Sequence, residues 1–220
     1  MKSISKKKFT KLILSWYKEN RRDLPWRNID DTYRVLVSEL LLQKTNAQKV
    51  EDIFDEFFSK YPTIYEINNE DINNLETILK PLGIFRKRAD RLKKISLVII
   101  DKFSGKIPGN KNDLLKLYGV GEYIVNAVLC FGYKKSVPIV DTNVIRIFER
   151  LFQKKSIKNR ARTDKEIWKF ADKMLPEKNV QDYNYALLDF ASIVCKARNP
   201  ECKNCIFLFQ CAFGKNFIII

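Results

Sequence analysis

Apolar residues recur every three or four positions along most of the chain, the period of helices that bury one face. Phe9, Leu12, Ile13 and Trp16 begin the pattern near the N-terminus. The stretch "TYRVLVSELLLQKT" (32–45) is apolar enough to predict a buried helix, capped by Asp31 or Thr32. "NAQKVEDIFDEFFSKY" (46–61) puts Val50, Ile53, Phe54, Phe57 and Phe58 on one stripe, and Pro62 ends it. A single short helix is expected over 69–83, closed by Pro81 and Gly83. "FRKRADRLKKISLVIIDKF" (85–103) sets an apolar face against a basic one, which is expected to face solvent and only secondarily phosphate. "NKNDLLKLYGVGEYIVNAVLCFGY" (110–133) reads as helix, tight turn, helix. Further helices are predicted over 141–152, 164–175 and 180–195. No stretch alternates cleanly over six residues, so no sheet is expected and the fold class is all-α.

Composition narrows the partners. The 220 residues include 41 Lys and Arg against 26 Asp and Glu, a net charge of +15. That balance suits nucleic acid, an anionic membrane surface or an acidic protein. The longest apolar run, "LVII" (97–100), is far too short to cross a bilayer. The basic N-terminus keeps helical spacing and has no small-residue cleavage site, so it is not read as a signal peptide. A cytoplasmic protein is expected, and in a reducing compartment clustered cysteines point to metal before disulfides. The chain has no histidine. Imidazole acid–base chemistry and Cys/His metal sites are therefore excluded.

Three segments carry candidate chemistry. Cys195, Cys202, Cys205 and Cys211 follow a Cys-x6-Cys-x2-Cys-x5-Cys spacing. Four thiolates can hold tetrahedral zinc or an iron–sulfur cubane. In "LYGVGEY" (117–123), Gly119 and Gly121 flank Val120. Two such glycines allow positive φ and close backbone approach, and the amides of the turn suit an anion; a plain helix–helix turn explains them equally well. In "SVPIVDTNVIR" (136–146), Pro138 precedes Asp141 at a helix start, where an aspartate is also a common N-cap.

In combination, the glycine turn, the Pro-to-Asp segment and the cysteine spacing resemble the endonuclease III superfamily of helix-hairpin-helix DNA glycosylases, in its iron–sulfur branch. The resemblance runs from about Leu24 to Cys211. It implies two helical lobes: a six-helix barrel carrying the hairpin over 23–135, and an iron–sulfur domain built from 1–22 and 136–220. DNA would lie against the cleft between them, with Asp141 at that cleft. The four cysteines match the family's [4Fe–4S] ligands, and one short knuckle with wide flanks suits a cluster better than zinc. Cys130, among Val128, Leu129 and Phe131, is expected to be an inert buried thiol.

Asp141 matches the family's essential carboxylate, which would stabilise the oxocarbenium-like state or activate water. Tyr123 stands where bifunctional members carry a Schiff-base lysine, which implies a monofunctional enzyme with Tyr123 lining the base pocket. Glu39 matches a glutamate that faces the flipped base in the adenine- and thymine-excising relatives. Gln43 and Lys44 match the place where a polar side chain fills the gap left by that base. Gly119, Val120, Gly121 and Arg198, with Lys196 and Lys203 beside it, are expected to touch phosphate. Tyr118 departs from the proline usual in the hairpin.

Within the superfamily, "LLDFASIVCKARNPECKNC" looks most like the archaeal mismatch thymine/uracil glycosylases, which implies removal of uracil, or of thymine opposite guanine. Nine residues follow Cys211, so the extra C-terminal domain of the adenine glycosylases is not expected. Adenine removal from A·G or A·8-oxoguanine pairs, an endonuclease III-like enzyme for oxidised pyrimidines, and a non-catalytic DNA-binding module are the alternatives. The expected partner is double-stranded DNA with a flipped-out base. A monomer near the nucleoid, away from membranes, is expected.

Overall fold

Eleven α-helices and no strand are found among the described residues, 4–217, of the computed structural model. Residues 1–3 and 218–220, the outer ends of the expected second lobe, lie outside them. No described helix is long and apolar enough to cross a membrane. The chain divides into two compact units, one spanning Asp23–Lys135, the other joining Met1–Arg22 to Ser136–Ile220.

In the first unit, α2 (Thr32–Leu42) starts at Asp31, whose carboxylate accepts from the Tyr33 amide at 2.8 Å. Eight of its eleven residues are buried, so it is enclosed by its neighbours. These include α3 (Ala47–Lys60) and α8 (Glu122–Ala127), which runs on as a π-helical turn, Val128–Gly132. Residues 124–131, Cys130 among them, are all buried. Gly132 ends this turn against the start of α2, where a Cβ would come within 3.0 Å of the Thr32 methyl. α3 buries its predicted stripe, Val50, Ile53, Phe54, Phe57 and Phe58.

The short helix expected over 69–83 is found at Ile72–Leu79, and an additional helix precedes it. α4 (Ile64–Asn69) opens with a capping box between Thr63 and Glu66. α5 (Ile72–Leu79) is capped separately by Asp71. Each helix has its own cap, and both pack on α6 (Phe85–Phe103). α7 (Lys111–Leu115) follows, capped by Asn110.

In the second unit, α1 (Lys6–Asn20) buries Phe9, Ile13 and Tyr17 and packs on α11 (Val180–Ile193). α9 (Thr142–Phe152) and α10 (Lys165–Met174) complete its helices. The core is aromatic: Phe9 meets Phe152 at 5.1 Å and Phe207 at 5.0 Å, and Trp16 meets Phe190 edge-on at 5.1 Å. Such pairs each add about 1 kcal/mol beyond their buried area. Arg22 clasps the fully buried Asp189 through its backbone amide, at 3.0 Å, and its guanidinium.

Candidate functional site

The functional candidates fall in both units. Asp141 and the cysteines belong to the unit with both chain ends; Glu39, Gln43, Lys44, the glycine turn and Tyr123 belong to the other.

Asp141 is the N-cap of α9. Its Oδ1 accepts from the amides of Asn143, at 2.9 Å, and Val144, at 2.8 Å. Its Oδ2 accepts from the side-chain amide of Asn143 at 2.6 Å. Burial pushes the carboxyl above its ordinary value, while these amides and the Arg146 charge oppose the shift. The extended segment leading to it is gripped by Asn184, which accepts from the Ile139 amide at 3.1 Å and donates to the Val137 carbonyl at 3.0 Å.

The same helix reaches the cysteine loop. Arg146 donates to Asn143 Oδ1 at 3.0 Å, to the Cys195 carbonyl at 2.8 Å and to the Ala191 carbonyl at 3.0 Å. A continuous chain of hydrogen bonds thus links Asp141 to the backbone of Cys195. Arg150, one turn on, donates to the Lys196 and Ala197 carbonyls at 2.7 and 3.2 Å and approaches Cys195 Sγ at 3.6 Å. The Cys211 thiol donates to the Arg150 carbonyl at 3.2 Å. Arg146 and Arg150 do not stand out in the sequence, because side chains that face backbone carbonyls leave no residue-type signature at their partners, and Asn143 is found only through its bonds to Asp141 and Arg146.

Cys195 follows α11, Cys202 and Cys205 flank a tight turn in which the Cys205 amide donates to the Cys202 carbonyl at 3.1 Å, and Cys211 comes after a second turn. None of the four is in a disulfide. Burial, with the other three thiols adding to it, pushes Cys205 up to about 11, and Cys202 and Cys211 are raised by burial in the same direction. The four are thus in one another's electrostatic reach. Among the described residues, no three His, Cys, Asp or Glu side chains converge as a metal-holding group. The donor set nevertheless suits a thiolate-ligated cluster: four sulfurs outside any disulfide, in a chain with no histidine. Arg198 lies exposed on the loop between Cys195 and Cys202.

In the first unit, Glu39 is 6% exposed on α2, which packs against α8, the helix carrying the half-buried Tyr123. A surface position for this glutamate is thereby excluded. Gly119 takes φ +72°, and a Cβ there would lie 2.7 Å from Arg91 Nε. A Cβ on Gly121 would meet nothing within 4 Å, so the approach to that part of the turn is open. Val120 between them is buried. Tyr118, in the departing position, is exposed, with the Lys94 ammonium 4.8 Å from its ring centre.

Gln43 and Lys44 lie beyond the end of α2, Lys44 in the left-handed region at φ +56°. Their loop is held from α6, which keeps Arg86, Lys87 and Lys94 exposed as expected but buries Arg88 on its apolar stripe. Arg88 is 4% exposed and donates to the carbonyls of Leu40, Leu41 and Gln43, at 3.1, 3.0 and 2.8 Å, and of Gly83 at 2.9 Å. It caps the C-terminal end of α2 with a buried charge, satisfying carbonyls that the helix leaves open. Arg91 donates to the Gln43 side-chain carbonyl. Next to Gly83, itself at φ +70°, Ile84 is 55% exposed at φ +45°. A β-branched residue in the left-handed region stores roughly 1–3 kcal/mol of strain, which composition alone does not reveal.

The sequence and fold are shared with known proteins. Residues 37–173 match the family described as HhH-GPD superfamily base excision DNA repair protein. A thymine/uracil-DNA glycosylase of Pyrobaculum aerophilum is 40% identical, covering 90% of this chain and 87% of its own length. One from Methanothermobacter thermautotrophicus is 34% identical over 94% of both chains. The solved structure of a thermostable thymine-DNA glycosylase superposes with a TM-score of 0.90 at 34% identity, over 96% of this chain and 97% of that one. The chain belongs to the HhH-GPD superfamily of base excision DNA repair proteins.

Proposed function

We propose that the protein is a monofunctional DNA glycosylase that hydrolyses the N-glycosidic bond of uracil, or of thymine opposite guanine, and leaves an abasic site. The observation that carries this reading is Asp141, a carboxylate fixed by three amide donors at the start of α9. As the bond between base and sugar breaks, positive charge develops on the sugar, and a preorganised anion stabilises it without reorganising. Asp141 also takes the proton of the attacking water as its oxygen joins the sugar carbon. The departing base accepts a proton at its nitrogen, and the buried Glu39 is suited to supply it or to bind the base edge. Tyr123 offers no amine for a Schiff base, so the enzyme makes no covalent sugar adduct and cuts no strand.

Gln43, Lys44 and the exposed Ile84 contact the site the base vacates. Gly119, Val120, Gly121 and Arg198 meet phosphate. The resident cofactor of this reading is a [4Fe–4S] cluster on Cys195, Cys202, Cys205 and Cys211, which when bound braces their loop. The partner is double-stranded DNA with a flipped-out base, bound by a monomer in the cytoplasm at the nucleoid. The relatives named for thymine and uracil favour these bases over adenine.

A panel of duplexes carrying U·G, T·G, U·A, A·8-oxoguanine or thymine glycol tests the reading. Abasic sites are expected from U·G and T·G. Release of adenine or thymine glycol alone would replace it with one of the alternatives, and no release from any duplex would leave a DNA-binding module.

A further inference from the structure

The positive charge is unevenly divided. The unit formed by residues 1–22 and 136–220 carries 23 Lys and Arg against 10 Asp and Glu, or +13, while Asp23–Lys135 carries 18 against 16, or +2. Within the charged unit, one loop stands out. Between α9 and α10, "KKSIKNRARTDK" (154–165) holds Lys154, Lys155, Lys158, Arg160, Arg162 and Lys165 in twelve residues. All but Lys154 are exposed. None of the six has a carboxylate at salt-bridge distance among the described residues; the nearby Glu166 is taken by Lys169 at 2.8 Å.

The loop is braced rather than slack. Ser156 donates to Asp164 Oδ2 at 2.7 Å and accepts from the Lys158 amide at 3.0 Å. Asp164 is buried, and its other oxygen accepts from the Glu166 amide at 3.0 Å. Thr163 donates to the Arg160 carbonyl at 2.9 Å, and the Trp168 indole donates to the Arg162 carbonyl at 2.8 Å. The Lys158 ammonium reaches the neutral Thr163 carbonyl at 3.4 Å and lies within electrostatic range of Asp164, as Lys154 does of Glu166. The hydrogen bonds fix the backbone while none of the six cationic heads is held in a direct ion pair among the described residues. Six cations against the single buried carboxylate of Asp164 in twelve residues make the loop strongly positive, which favours an anionic partner.

We propose that the loop Gln153–Lys165 is a second contact surface for the DNA sugar–phosphate backbone, apart from the residues that handle the excised base. The proposal rests on the glycosylase reading above. A regularly spaced polyanion suits the loop better than an acidic protein does. Protein interfaces are rich in aromatic anchors and poor in lysine at their centres, whereas this loop's exposed apolar residue is a single aliphatic one, Ile157, 93% exposed. Its role is to hold duplex of any sequence while the enzyme moves between sites, a task that needs phosphate contacts only.

The test is a protein with Lys155→Gln, Lys158→Gln, Arg160→Gln and Arg162→Gln together. Its affinity for a lesion-free duplex is measured over a salt series, beside single-turnover base release at saturating enzyme from a U·G duplex. The slope of log affinity against log salt should become shallower by about 0.9 for each phosphate that the variant no longer neutralises, with base release unchanged. The single charge reversal Arg160→Glu reads the same slope should the fourfold variant fold poorly. An unchanged slope overturns the proposal. So does an unchanged slope joined to weaker retention on immobilised poly-glutamate, which would assign the loop to an acidic protein. If the unsubstituted protein releases no base, the glycosylase reading fails, while the lesion-free binding still decides the loop.

Discussion

The side chain of Asn143 donates to Asp141 at 2.6 Å and accepts from Arg146, so one amide both stabilises the carboxylate and ties it to the cysteine loop. Burial has already raised the Asp141 carboxyl, and this hydrogen bond holds the rise in check. In Asn143→Ala the carboxyl rises further, and less of it is ionised at any given pH. The acid limb of the single-turnover pH–rate profile should therefore shift to higher pH. A limb that stays in place would disconnect Asn143 from catalysis.

Replacing Asp141 itself by Asn keeps a good helix cap but removes the charge. Base release should fall by at least about 10²–10³-fold, on the order of other losses of preorganised charge stabilisation, with duplex affinity little changed. Unaltered turnover would sink the assignment. For stability the sign is the reverse of the usual aspartate case. A folded-state value above the unfolded one means that ionised Asp141 costs stability at neutral pH, and that its contribution improves as pH falls through the folded value.

Tyr123 has no amine to offer the sugar. Borohydride added during turnover should trap no protein–DNA adduct, as read by gel mobility. A covalent band would mean that another amine, such as Lys134 or Lys135, reaches the sugar.

Arg88 answers carbonyls at the end of α2 that the helix itself leaves open. Arg88→Ala leaves several of them buried and unpaired and should lower unfolding free energy by about 3 kcal/mol in denaturant titration. A loss below about 1 kcal/mol would mean that water replaces the guanidinium without penalty.

Chemical analysis of protein purified without oxygen should find iron and acid-labile sulfide in equal amounts. Cys205→Ser should lose both. Zinc in their place would leave the thiol ligands standing but remove the iron–sulfur reading.

The apolar stripes and cap residues made most helices readable, since α3 and α9 depend on local spacing and on Asn46 and Asp141. α4 was not readable, because its six residues are too few to show a helical period and only the capping box of Thr63 and Glu66 marks its start. Arg88 shows a second limit. On α6 it falls on the buried stripe with Leu92, Ile95 and Ile99, and only the approach of the α2 terminus shows what a charge does at that position. Ile84 shows a third: its meaning lies in a backbone angle rather than in its side-chain chemistry.

The helix at the start of the chain has its packing partner near the end. During synthesis α1 leaves the ribosome with Phe9, Ile13 and Tyr17 uncovered, and α11 follows only after residues 23–179 have been made. At cellular elongation rates that interval is on the order of ten seconds or more. The contiguous stretch 23–135 can fold within it, whereas the unit holding Asp141 and the cysteines must wait for the last helix. A nascent chain stalled before residue 180 would therefore display the glycine turn of the first unit while the segment leading to Asp141 still lacks the grip of Asn184.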